Sequence, residues 1–175
     1  MLSCLRLGIP LTMSVVLLSS MAVSAQGTSR PASETADRFV GTWILNVAKS
    51  TFEGAPAPKS GMRTFDYERD GTILCTVHAV NAAGRPSFVH FLITLDGREY
   101  EELSRSSSPN RSPTFVTARK IDDHRIDLTF KRDGKVFIWH AWSISEDGKT
   151  FTVRRKGTTT QGQPTNFVMV YEKQQ

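Results

Sequence analysis

Four Asp-Gly pairs, at residues 70–71, 96–97, 133–134 and 147–148, recur between short runs of alternating apolar and polar residues. Asp followed by Gly populates the positive-φ positions of a type I′ turn at little cost, so each pair predicts a tight reversal between antiparallel strands. Ten strand-like runs result, at residues 40–47, 61–69, 72–80, 86–95, 98–104, 113–120, 124–131, 135–144, 149–156 and 165–173. A chain punctuated in this way keeps neighbours in sequence as neighbours in a sheet. Two stretches break the rhythm: residues 48–60, AKSTFEGAPAPKS, with two prolines and no helical period, and residues 105–112, RSSSPNRS. Both are expected to be loops, the second at a barrel mouth. A faint repeat supports the hairpin order, since Gly84-Arg85-Pro86 and Gly162-Gln163-Pro164 follow Gly71 and Gly148 at thirteen and fourteen residues.

Alternation assigns faces to these runs, because successive side chains of a strand point to opposite sides. In the first run Gly41, Trp43, Leu45 and Val47 share one side, and Ile126, Leu128 and Phe130 oppose Arg125, Asp127 and Thr129 in the seventh. Phe65 and Tyr67 carry Arg63 inward with them, and Phe151 and Val153 carry Arg155. Lys135–Ile144 and the run Thr165 to Lys173 are apolar on both faces. Their outer sides need a cover, by a loop, the tail, a protein partner or a second copy of the chain. The expected fold class is all-β, an antiparallel up-and-down meander of eight to ten strands closed into a barrel, with the first strand paired to the last.

The leader is read separately. Residues 1–25 have Arg6 as their one charge, an apolar core over residues 7–21, and Val23-Ser24-Ala25 before Gln26. This is the pattern of a cleaved signal peptide, which implies a secreted or periplasmic protein with no transmembrane segment in its mature form. Residues 26–38 are small and polar and are expected to be a flexible segment ahead of a domain spanning 39–175. About 150 residues remain, enough to bury roughly two-thirds of the unfolded surface. Cys75 is then the only cysteine, so the domain holds itself by packing and not by an internal disulfide. The formal charge of +5 falls to +4 without Arg6, with Lys and Arg scattered among carboxylates. That argues against nucleic acid as a partner.

Candidate chemistry is sparse. Two guanidiniums, Arg63 and Arg155, with two phenols, Tyr67 and Tyr171, fall on inward faces. They either hold an anionic headgroup in an apolar cavity or lie near strand ends and reach solvent at the mouth. His78, His90 and His140 sit inside strands, and His124 at the head of one, but their spacing makes no metal or haem site, and no cofactor is expected. Trp139 and Trp142 fall on opposite faces, one toward the cavity. No Gly-x-Ser-x-Gly elbow or phosphate-binding glycine loop is present, Cys75 lies mid-strand where a thiol is inert, and no catalytic residue is assigned.

The opening Gly41-Thr42-Trp43-Ile44-Leu45, the meander of hairpins and the ending Val170-Tyr171-Glu172-Lys173 together resemble the calycins, the lipocalins and fatty-acid-binding proteins. They look most like the lipocalin-like proteins that bacteria export. The resemblance covers residues 39 to 173 and implies a barrel with a cavity for a small hydrophobic or amphipathic molecule, closed at one end by Trp43. The candidate ligand contacts are Arg63, Tyr67, Arg155 and Tyr171, which alternation turns inward, with Trp43 at the closed end. Three features depart from the family. The stretch 48–60 is too short and too rich in proline for the helical lid of fatty-acid-binding proteins. Their carboxylate-binding arginine, two residues before a tyrosine on the last strand, is Met169 here, although Tyr171 matches. The lipocalin arginine that packs over the first-strand tryptophan is not evident near the C-terminus. The reading that follows is an exported, non-catalytic binding protein. A filled barrel acting as a cell-envelope interaction module and an isomerase or cyclase built on the cavity are the alternatives.

Overall fold

Val, Ile, Phe, Trp and Thr fill the alternating runs, and such side chains favour a pleated, half-buried surface. All ten runs form strands. The computed structural model describes residues 38–67, 72–102, 112–159 and 161–174. In chain order the strands are β1 Gly41–Glu53, β2 Ser60–Tyr67, β3 Ile73–Val80, β4 Pro86–Ile93, β5 Asp96–Glu101, β6 Thr114–Asp122, β7 Arg125–Arg132, β8 Lys135–Ile144, β9 Thr150–Thr158 and β10 Pro164–Lys173. They make one antiparallel sheet in the order β4-β3-β2-β1-β10-β9-β8-β7-β6-β5. The first strand pairs with the last as expected, Trp43 opposite Lys173 and Leu45 opposite Tyr171. The result is a nearly closed ten-stranded barrel.

The seam lies elsewhere. β4 and β5 are the two edges of the sheet, although only Thr94 and Leu95 separate them in the chain. The sequence reading gave Asp96-Gly97 to a hairpin here, and the structure corrects this. Asp96 takes the backbone amide of Arg98 on Oδ1 at 2.9 Å and the Tyr100 hydroxyl on Oδ2 at 2.7 Å. These local bonds, with Gly97 at φ 77, put a bulge into β5 between Asp96 and Glu99. An aspartate that organises its own following backbone turns the strand onto β6 and not back onto β4. Asp133-Gly134 does form the expected turn, with φ of 49° and 73°. The β8–β9 reversal works differently: the Gly148 amide donates to the Ser145 carbonyl at 2.9 Å, and Gly148 alone has positive φ. The same bond joins Gly84 to Asn81 and Gly162 to Thr159, so the repeat seen in the sequence is a repeat of turn geometry. Asp70-Gly71 and the loop 105–111 lie outside the described residues.

The expected loop 48–60 is a second correction, since β1 runs on to Glu53. Between Asn46 and Thr51 the register on β10 advances only from Val170 to Val168, so the strand carries a wide bulge. Ser50 fastens it by donating to the Asn46 carbonyl at 2.7 Å and accepting the Val170 amide at 2.9 Å. Extra residues erase the two-residue period, which is why the extension was invisible in sequence. Gly54 ends the strand at φ 83, where a Cβ would collide with the Pro164 carbonyl.

One end of the barrel is packed solid. Phe39, from the helical turn at Arg38–Phe39, enters among Phe65, Trp142 and Phe151, with ring centroids 5.7–6.3 Å apart. Trp43 is fully buried against Phe151, its Nε1 donates to the Phe39 carbonyl at 2.8 Å, and Lys173 Nζ lies 5.1 Å over its ring. A cation thus does cover the first-strand tryptophan, but it is a lysine, and it comes from the strand paired to that tryptophan. Edge-to-face contacts of this kind add to the burial of each ring. Phe151 touches Phe39, Trp43, Phe65, Trp142 and Tyr171. Phe151→Ala is therefore expected to cost about 3–5 kcal/mol of unfolding free energy. Phe88→Ala, at a ring 48% exposed on the outer face, is expected to cost under about 1 kcal/mol. Urea titration of both variants tests the assignment, and equal losses would contradict it.

Candidate functional site

Beyond the aromatic plug the barrel is hollow. A cavity of about 190 Å³ lies between Arg63 of β2, Val77 of β3, Val89 and Phe91 of β4, Phe130 of β7 and His140 of β8. Phe137, Ile138 and Arg155 complete its wall, and Glu102 stands at its edge. Phe137 reaches it because β8 is bulged between Val136 and Ile138 opposite Lys131 and Phe130. The Arg132 guanidinium stacks on that ring at 4.3 Å.

Arg63 divides the filled half from the hollow half. Alternation on β2 turns it inward with Phe65, where its guanidinium carbon lies 5.5 Å from the Trp142 ring centre and 5.4 Å from that of Tyr171. Its Nε donates to the Tyr171 hydroxyl at 3.1 Å, and that hydroxyl in turn reaches Met169 Sδ at 3.7 Å. The guanidinium absent from position 169 is thus supplied to the same tyrosine from another strand. Arg63 stays charged, as an arginine does. Rings and a phenol compensate it in part. No salt bridge among the described residues reaches Arg63 or Arg155. Arg155, partly buried, donates to Thr165 Oγ1 at 2.9 Å and lies 5.1 Å over Phe167.

His140 is the residue that sequence reasoning placed in a strand but did not assign to the site. It faces inward with Trp142, whose indole Nε1 donates to His140 Nδ1 at 3.3 Å. An indole nitrogen only donates, so Nδ1 accepts and the neutral imidazole carries its proton on Nε2. Burial, then the charges of Arg63 and Arg155, hold the His140 pKa well below its usual value. Arg63 and His140 are each 6% exposed. Both keep a buried donor, Arg63 Nη1 and His140 Nε2, that meets no acceptor among the described residues. Buried polar groups are nearly always paired, so two orphan donors in one cavity mark it as built for something that accepts hydrogen bonds.

The residues singled out in the sequence divide accordingly. Arg63 and Arg155 line the inner cavity, Arg63 buried and Arg155 partly buried, and Tyr171 bonds to Arg63 without itself lining the cavity. Trp43 belongs to the plug and not to the cavity wall. Tyr67 closes β2 opposite Ile73, and its side chain lies outside what the structure describes. Cys75 is fully buried behind Arg63, and burial pushes its thiol up to about 12 against the pull of that guanidinium. His78 and His90 flank Phe88 on the outer face and do not converge with His140, and no cluster of three metal-ligating side chains occurs among the described residues. On β8 only Val136 is an exposed large hydrophobic residue, and β10 has none; Ile44, Phe88, Phe115 and Ile121 are the others. A wider hollow of about 670 Å³ outside the closed end, between Arg38, Asp147, Lys149, Glu172 and Lys173, is open and mixed in charge. It contains none of the orphan buried atoms, so the inner cavity is the candidate site.

No protein-family model matches the chain, and no curated protein sequence does either. Solved structures do match. The fluorescent protein UnaG is 15% identical, covers 79% of this chain and 99% of its own, and superposes with a TM-score of 0.52. A Schistosoma mansoni fatty-acid-binding protein in complex with arachidonic acid is 12% identical over 81% of this chain and 99% of its own, at 0.51. Rv2717c from M. tuberculosis is 12% identical over 83% and 98%, at 0.55. At such identities the likeness is one of fold alone, an antiparallel barrel like that of the fatty-acid-binding protein.

Proposed function

We propose that this protein is an exported, non-catalytic binding protein that carries a small hydrophobic or amphipathic molecule in the cavity at the hollow end of its barrel. The observation that carries the reading is the pair of buried donors without acceptors, Arg63 Nη1 and His140 Nε2, in an otherwise aromatic and aliphatic pocket. Similarity to the barrel of a fatty-acid-binding protein in complex with arachidonic acid supports it at the level of fold. Export rests on the leader pattern of residues 1–25. The absence of catalysis rests on the cavity's own chemistry. The Cys75 thiol is pushed up to about 12, and His140 has its acceptor nitrogen occupied by Trp142, so neither is a poised nucleophile or base. Native mass spectrometry of protein purified from its own source is expected to show one small molecule bound without a covalent link. A bare chain mass would overturn the reading.

A second reading, an interaction module of the cell envelope, is favoured by one feature: Ile44, Met62, His78 and Phe88 form a single cross-strand row on the outer face of β1 to β4. It expects self-association or capture of a partner through that row, whereas the binding reading expects a monomer by analytical ultracentrifugation.

Two stability measurements follow from the site. His140 faces Arg63 of β2, Arg155 of β9 and, across the cavity, Glu102, and its folded pKa lies below the unfolded value. The unfolded chain therefore binds the extra proton first. Stability is full above pH ~6.5 and falls as pH drops toward the folded pKa, by up to about 1.4 kcal/mol per unit. The difference in unfolding free energy between wild type and His140→Gln is expected to show this slope below pH ~6.5, and parallel curves would contradict it. Because Arg63 is a buried cation with no carboxylate, Arg63→Met is expected to leave the unliganded protein within about 1 kcal/mol of wild type or more stable. A loss of about 3–5 kcal/mol would mean that its charge is already paired.

A further inference from the structure

The cavity limits what can occupy it more sharply than its fold does. A void of about 150 Å³ just takes a benzene, and pockets for drug-sized ligands start near ~300 Å³. At about 190 Å³ this one has room for one ring or an equally compact branched chain with a small polar group. A long acyl chain would have to run out through the open mouth into solvent or displace Phe39, Phe65, Trp142 and Phe151, which fill the other half of the barrel in mutual contact.

The polar group is set by the donors. Arg63 supplies a charged N–H and His140 a neutral one, both lacking acceptors, and Trp142 keeps His140 from presenting its own acceptor nitrogen to the cavity. Arg155 adds a second positive charge, against which Glu102 at the edge is the only carboxylate among the described wall residues. A neutral molecule would leave those cations uncompensated, and a cation would be repelled. A carboxylate has two oxygens and a single negative charge, matching one charged and one neutral donor. The apolar wall of Val77, Val89, Phe91, Phe130 and Phe137 then takes the rest of the molecule.

Resting on the binding reading above, we propose that the cavity is a site for a compact monocarboxylic acid, one aromatic ring or a short branched chain in size, whose carboxylate is shared between Arg63 Nη1 and His140 Nε2. Long-chain acids are disfavoured because their tails would leave the cavity for solvent, and neutral isosteres because they leave the charged donor uncompensated.

The test is an NMR titration of the mature protein with phenylacetate, its neutral isostere phenylacetamide, and palmitate, read on the Trp142 indole and the His140 ring nitrogens. Phenylacetate is expected to bind at least tenfold more tightly than phenylacetamide and than palmitate, and to shift His140 Nε2. Arg63→Met is expected to remove the preference over phenylacetamide, while Phe88→Ala keeps it. Should the Arg63 variant not fold, the wild-type His140 signal decides: no shift of Nε2 at saturating phenylacetate overturns the proposal. Equal affinity for phenylacetamide, or tighter binding of palmitate, also overturns it but leaves a binding protein for apolar molecules standing. No binding of any of the three contradicts both.

Discussion

A guanidinium held inside a barrel without a carboxylate is the constraint on which the site depends. Arg63 is carried there by the alternation of β2, since Phe65 next to it on the same face must join the core. Once inside, it is partly compensated by the rings of Trp142 and Tyr171, by a bond to the Tyr171 hydroxyl and by the Cys75 thiol. With no carboxylate among the described residues bonded to it and Nη1 left without an acceptor, this charge suits an anion. Burial, helped by the nearby guanidiniums, holds His140 neutral, Trp142 sets its tautomer, and burial raises the Cys75 thiol against the pull of Arg63.

The aromatic plug makes this arrangement tolerable. Phe39, Trp43, Phe65, Trp142 and Phe151 fill one half of the barrel, so the fold does not need the other half packed. The hollow half can then carry polar groups that a continuous core would reject. Trp142 and Tyr171 belong to both halves, packing against Phe151 on one side and meeting Arg63 on the other. Structure and function meet at those two side chains.

Much of the fold was legible because a strand period of two is robust and Asp-Gly pairs mark reversals. The pairing of the first strand with the last follows from closing the meander, and the inward placement of Arg63, Arg155 and Tyr171 from alternation. What was missed was lost where the period breaks or where both faces are apolar. Bulges hid the extension of β1 past Asn46 and turned Asp96-Gly97 from a hairpin into a kink in β5. On β8, apolar on both sides, nothing in the sequence told His140 from Trp139 as the inward residue. The signal that could have found it was parity with Ile138, Trp142 and Ile144. The lysine over Trp43 escaped because the family's pattern suggested an arginine and not a cation in general.

The most direct measurement is a high-resolution crystal structure of the protein purified from its natural source with no ligand added. The account expects density for a compact molecule in the barrel, with its accepting oxygens within hydrogen-bond distance of Arg63 Nη1 and His140 Nε2. Side chains packed into that volume, or an Arg63 turned out to bulk solvent, would contradict it.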